Sequence, residues 1–159
     1  MGRLVQKKGF QRLFEARSNN YLTVFVGGGK IPKLMANEKE NVLFLGVLSQ
    51  EKLSEVYQAS DVFVLPSDCE GFPLSIQEAM ASGLPIVTTK HPGFEKYLDK
   101  RYVKFITPTK QAVKTAILEV LTNKSMRKSM IKYSLNTTTV KAGWKSNIKY
   151  LLKIYQKVS

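Results

Sequence analysis

The sequence has 159 residues, 43% apolar and 23% charged, a size and balance that fit one soluble domain with room for a sizeable core. No apolar run reaches the ~18 residues that span a bilayer and no signal peptide opens the sequence, so a cytoplasmic protein is expected. The single cysteine, Cys69, excludes an internal disulfide and agrees with a reducing compartment.

Taken in chain order, Gly2-Arg3 and Lys8-Gly9 set two basic residues five apart, ahead of an amphipathic helix from Phe10 to Ala16. Leu22 to Val26 reads as a strand, and Gly27-Gly28-Gly29 as a tight turn lining a cleft. No Lys-Ser/Thr follows it, as a P-loop needs. Lys30 to Glu40 has room for one or two helical turns. Val42 to Leu45 is the next strand, stopped by Gly46. Ser49 then caps a helix from Glu51 to Ala59 with Leu53, Val56 and Tyr57 inward. This is a β-α-β order of the doubly wound type, with ligand expected at the carboxyl ends of the strands.

The chemistry concentrates between Asp61 and Val87. Val62 to Leu65 is a short continuous apolar run, the pattern of a parallel strand covered on both faces. Pro66 ends it, and a polar loop of Ser67, Asp68, Cys69 and Glu70 turns at Gly71. Pro73 stands where a helix would begin, running through Glu78 to about Ser82. Gly83 and Pro85 stop that helix, and Ile86-Val87 opens the next strand. Backbone N–H groups around Phe72, Leu74 and Ser75 are then left without helical partners, a setting that attracts phosphate. Glu70 and Glu78 flank it, and an ionised carboxylate, which only accepts, suits sugar or ribose hydroxyls. Cys69 is read as a small loop filler rather than a nucleophile.

Glu70, seven residues and Glu78, in the context EGFPLSIQEAMASGLPIV, resemble the signature of the retaining glycosyltransferases of family 4, which have the GT-B fold. The resemblance implies that residues 1–159 are a single domain, the C-terminal donor-binding domain of such an enzyme. Its fold would be α/β, a Rossmann-like doubly wound parallel sheet in three α/β/α layers. Arg3 and Lys8 would grip the diphosphate of a nucleotide-diphosphate sugar. The backbone from Gly71 through Phe72 and Leu74 to Ser75 would meet phosphate and sugar, Glu70 the sugar hydroxyls and Glu78 the ribose hydroxyls. Arg3, Lys8 and Glu70 are thus the catalytic candidates. Lysine and arginine stand in for a metal ion in supporting the departing diphosphate, so no metal and no cofactor besides the donor are expected. The acceptor would be a glycan or a lipid-linked molecule.

The resemblance also has a gap. The family carries an apolar strand immediately before Gly-Arg, and here only Met1 precedes it. The first strand and the acceptor-binding N-terminal domain are therefore expected to be missing, and a shortened frame, a fragment or half of a split enzyme with a separate acceptor-domain chain all fit.

Beyond Val87, His91 is the only histidine and is read as incidental, and Pro92-Gly93-Phe94-Glu95 is a weakened form of the family's Gly-Gly-x-x-Glu. Val103 to Ile106 is the last strand, and helices are expected over Lys110–Thr122, Ser125–Tyr133 and Ala142–Gln156. Charge divides sharply along the chain. Residues 1–95 hold 10 basic and 10 acidic side chains, whereas residues 96–159 hold 15 and 2, so the whole +13 belongs to the second part. Lys141, Lys145, Lys149, Lys153 and Lys157 recur every four residues, where like charges cost about 0.2–0.5 kcal/mol per pair. Core packing or an anionic membrane surface would offset that, and the second would hold the protein at the inner face of the membrane. Two other functions stand beside the transferase: a non-catalytic nucleotide-sugar-binding module or remnant, and a nucleic-acid-binding protein. The last rests on a pI near 9.8 alone, with no accompanying motif, so no nucleic acid is expected. A GT-B epimerase would need acid/base residues that the sequence does not display.

Overall fold

The computed structural model describes residues 6–33, 35, 40–71, 73–93 and 95–141, without the side chains of Lys96 and residues 138–141. The expectations for Arg3, for Phe72 and for the basic helix over 142–156 lie outside these residues. A 3-10 turn at Gln6–Lys8 leads into α1 (Phe10–Glu15), β1 (Thr23–Phe25), β2 (Val42–Phe44), α2 (Gln50–Gln58) and β3 (Phe63–Leu65). Then follow α3 (Leu74–Ala81), β4 (Ile86–Thr89), a 3-10 turn at Glu95–Tyr97, β5 (Lys104–Ile106), α4 (Lys110–Thr122) and α5 (Lys124–Lys141). None of these helices is long and apolar enough to cross a membrane.

All strand pairs are parallel, as βαβ connections require. They form two pieces, β1–β2 and β3–β4–β5, and among the described residues no ladder joins β1 to β3. The central strand β4 is buried at all four positions, its two threonines included. Its alternation sets the layers. Ile86 joins Leu53 and Tyr57 of α2 and Ile76, Ala79 and Met80 of α3, whereas Val87 packs with Ala116 and Val120 of α4 and Met130 of α5. On the α4 side, α1 also closes in, Ala16 meeting Val113 and Ile117. The β1–β2 piece has its own cluster of Phe14, Phe25, Met35 and Val42, with Phe25 and Phe44 rings stacked at 4.9 Å.

Helix boundaries follow local chemistry. The Ser49 hydroxyl accepts from the Lys52 amide at 3.4 Å and Thr109 from Ala112 at 3.2 Å, satisfying donors that a first turn leaves open. Apart from the end of α5, the ends of the described elements fall within a residue of expectation, and two differences have a physical cause. Pro73 has extended backbone (φ −62°, ψ 130°) and is the N-cap of α3 rather than its first helical residue. α5 runs past Tyr133 to Lys141, although the β-branched run Thr137–Val140 lowers helix propensity. Tertiary contacts extend it: the Ser134 hydroxyl donates to the Leu84 carbonyl at 2.7 Å, and Leu135 lies against Gly83.

Candidate functional site

The site begins where β3 delivers its loop. Leu65 is 3% exposed and Ser67 is fully buried, so the chain past Pro66 starts from a rigid base. α1 comes to it at unusually close range. Gly9 has φ 69°, and a Cβ there would collide with the Pro66 carbonyl. Only glycine tolerates both the left-handed backbone and the contact. Around that contact the Lys7 carbonyl accepts from the Asp68 amide at 2.8 Å. Arg12 donates to the Pro66 carbonyl at 3.0 Å and pairs with Asp68 at 2.6 Å.

The consequence is that Lys8 and Glu70, sixty-odd residues apart in sequence, meet with Nζ 2.5 Å from Oε1. The Glu70 side chain is 10% exposed and Lys8 25%. Among the described residues no hydrogen bond reaches Glu70 Oε1, and the Lys8 ammonium beside it compensates its charge. A second loop closes from the other side: a Cβ at Gly93 would stand 2.8 Å from the Glu70 carbonyl. Glu70 is therefore wedged between the turn before α1 and the loop after β4.

His91 belongs to that wedge. Its Nε2 lies 2.9 Å from the Ser67 carbonyl and 3.0 Å from Thr89 Oγ1. A carbonyl only accepts, so Nε2 carries the proton there. Thr89 Oγ1 donates to the same carbonyl at 2.5 Å. The histidine that the sequence left as incidental ties the loop after β4 to the loop after β3.

Glu78 has a different support. It lies on α3, half-buried, and the Tyr57 hydroxyl from α2 donates to its Oε2 at 3.1 Å while standing 3.4 Å from the Ser75 carbonyl. Burial first, then the Glu78 charge and the hydrogen bond, push the Tyr57 pKa upward, so the phenol stays protonated and remains a donor. At the start of α3, the Ile76 and Gln77 amides are the first to bond back, both to the Pro73 carbonyl, which leaves Leu74 and Ser75 ahead of the helical ladder. Leu74 is 72% exposed and Gly71 is exposed, so these positions offer backbone rather than packed side chains. Cys69 is exposed on the same loop.

Of the sequence candidates, then, Lys8 and Glu70 come together, and Gly71, Leu74 and Ser75 line the turn between Glu70 and Glu78. Sequence reasoning missed Tyr57, Arg12 and Asp68 as parts of this site. Tyr57 had a signal: a buried phenol needs a partner for its hydroxyl, and the inward face of α2 already included it. Arg12 and Asp68 had none, because their partners come from distant segments.

A family model described as "Glycosyl transferases group 1" matches residues 1–137. Similar curated proteins include the alpha-galactosylglucosyldiacylglycerol synthase of Streptococcus pneumoniae, 33% identical over 61% of this chain and 25% of its own length. Another is the GDP-mannose-dependent alpha-mannosyltransferase of Corynebacterium glutamicum, 37% identical over 58% of this chain and 23% of its own. The matched part thus spans about a quarter of each relative. Among solved structures, Anabaena HepE in complex with UDP superposes with a TM-score of 0.84 at 18% identity, covering 98% of this chain and 48% of that one. The C-terminal domain of the Francisella tularensis group 1 glycosyl transferase LpcC gives 0.79 at 21% identity, covering 91% and 84%. The shared fold is the Rossmann-like domain of the GT-B glycosyltransferases. With the family matched over most of its length, the chain belongs to the group 1 glycosyl transferases.

Proposed function

We propose that this chain is the donor-binding domain of a retaining glycosyltransferase and takes a nucleotide-diphosphate sugar at the carboxyl end of β3. The observation that carries the reading is the Lys8–Glu70 pair at 2.5 Å, a cation and an acceptor side by side at the turn that opens α3. Lys8, with Arg3 assigned from sequence, neutralises the diphosphate as it departs, and the Leu74 and Ser75 amides add donors at the same place. Glu70 accepts from sugar hydroxyls. Glu78, further along α3, accepts from ribose hydroxyls while Tyr57 occupies its other oxygen. This chemistry asks for no metal ion. Relatives and neighbours whose names carry GDP-mannose, UDP and UDP-glucose support the nucleotide-sugar class. The acceptor is a glycan or a lipid-linked molecule bound by a further domain, and the basic second part of the chain faces an anionic membrane surface.

Calorimetry with a nucleoside, a nucleoside diphosphate and a nucleotide sugar tests the assignments. A hydrogen bond to a charged group is worth about 1.5–3 kcal/mol, so Glu78→Ala weakens nucleoside-diphosphate binding roughly tenfold to a hundredfold. Glu70→Ala spares the free nucleotide and weakens only the sugar-bearing donor. A folded Glu78→Ala variant that binds the diphosphate as the parent does would remove the ribose role, and a parent chain that binds no nucleotide would remove the reading.

A further inference from the structure

Among the described residues, charge is most one-sided between Tyr97 and Thr137, where nine basic side chains stand against two acidic ones. Both acids are already taken: Asp99 pairs with Arg101 at 2.6 Å and Glu119 with Lys104 at 2.6 Å. Lys124, Lys128 and Lys132 of α5 are exposed and have no ion-pair partner among the described residues. Standing four residues apart, they form one ridge about 12 Å long on the outer side of the helix. Its inner side is given to Met130 and Ser134, 2% and 1% exposed. Like charges at this spacing repel one another. The helix itself adds to the potential, because Lys124 is its first residue and no acidic side chain stands in its first turn, where a helix end is positive.

Where the ridge lies follows from what α5 touches. Arg127 stands 3.9 Å from Asp61, just ahead of β3. Ser134 Oγ donates to the Leu84 carbonyl, ahead of β4, and Tyr133 Oη accepts from the Asp99 amide, ahead of β5, at 2.8 Å. α5 therefore passes along the amino ends of three parallel strands, whereas the loops that carry Glu70 and His91 leave the carboxyl ends of β3 and β4. The ridge and the proposed donor site are at opposite ends of the domain, so diphosphate binding does not account for the ridge. The turn from Asp99 to Tyr102 brings exposed Lys100 to the ridge's end of the domain.

The form of the ridge selects its partner. The two tyrosines beside it have their rings in use: Tyr102 and Tyr133 stack on each other at 5.1 Å, and the Arg101 guanidinium lies over Tyr102 at 5.4 Å. Single-stranded nucleic acid is held by open rings of that kind. A layer of anionic headgroups needs none. It is broad and meets lysines on one side of a helix together, each ammonium among the headgroups and each stem along the surface. We propose that Lys124, Lys128 and Lys132, with Lys100 at the same end, are a docking surface for an anionic lipid bilayer, which leaves the donor site turned toward solution. The proposal rests on the reading that the basic second part of the chain faces a membrane, and assigns that contact to α5 rather than to the lysines beyond it.

The test is sedimentation of the full chain with vesicles of phosphatidylcholine, alone or mixed with phosphatidylglycerol. One variant carries Lys124→Gln, Lys128→Gln and Lys132→Gln, and a second carries Lys145→Gln, Lys149→Gln, Lys153→Gln and Lys157→Gln. The parent is expected to bind only the anionic vesicles, and less as salt rises. Neutralising the ridge is expected to weaken that binding roughly hundredfold, and each of its three substitutions alone about fivefold. The second variant should lose less. The melting temperature of the ridge variant should equal or exceed the parent's, because a repulsion is relieved. A second variant that loses as much binding as the ridge variant, or more, would overturn the α5 assignment and leave the membrane reading standing. A parent that ignores both kinds of vesicle, or binds them equally, would overturn both. Duplex DNA or polyglutamate bound more tightly than the anionic vesicles at the same salt would overturn the bilayer as the occupant.

Discussion

The two glutamates of the site are held in opposite ways. Glu70 sits in a loop and is fixed by main-chain proximity: Gly9 against Pro66 on one side, Gly93 against its own carbonyl on the other, and His91 and Thr89 on the carbonyl of Ser67 beneath. Glu78 sits on a helix whose neighbours Ala79 and Met80 are core, and among the described residues the Tyr57 phenol orients it. The loop residue depends on small residues at several positions, the helix residue on one side chain. Substitutions that add volume should therefore disturb Glu70 and spare Glu78, and loss of one hydroxyl should do the reverse.

The largest expected effect is at Gly9. Alanine there meets both a left-handed backbone, worth about 1–3 kcal/mol, and a collision with the Pro66 carbonyl. Gly9→Ala should lower stability by about 2–4 kcal/mol in denaturant unfolding and separate Lys8 from Glu70. A loss within experimental error would mean that α1 retreats freely and the close approach constrains nothing.

Gly93→Ala comes next. Its Cβ would stand 2.8 Å from the Glu70 carbonyl and 3.4 Å from the Gly71 Cα, so the loop after β4 must shift. We expect a cost of about 1–3 kcal/mol, accompanied by weaker binding of a nucleotide sugar than of the free nucleotide. Equal weakening of both ligands would show that the wedge supports the whole site rather than Glu70.

Tyr57→Phe is the smallest perturbation. It removes one hydroxyl and should cost about 1 kcal/mol, with a larger relative effect on nucleoside binding than on the diphosphate. It also carries a pH signature. The Tyr57 pKa is raised in the fold above its ordinary 10.0, so the unfolded chain releases the proton first. The stability that depends on the protonated phenol is complete below about pH 10 and falls as pH rises from there through the folded value. The parent should therefore lose more stability than Tyr57→Phe between about pH 8 and pH 11. Parallel pH curves for the two proteins would contradict the Tyr57–Glu78 bond.

Much of this arrangement is legible in the sequence. The apolar run before Pro66, the Gly71 turn and the Gly83-Pro85 stop placed β3, α3 and β4 within a residue or two, because those boundaries are set by local backbone chemistry. Pro73 was one position off, since proline serves N-cap and first-turn positions alike and only the dihedral angles separate them. α5 outran its expected end because Ser134 and Leu135 pack across the helix stop at Gly83, a tertiary contact that overrides the poor helix propensity of the threonines beyond it.

What the residue order determined by itself was periodicity, punctuation and the identity of the groups able to accept or neutralise charge, including Lys8, Glu70 and Glu78. The tertiary structure alone decided that Lys8 stands on Glu70, that Tyr57 holds Glu78 and that His91 braces Ser67. Each of these depends on segments brought together by burial of the strands, and contacts between distant segments leave no local pattern in the order of residues.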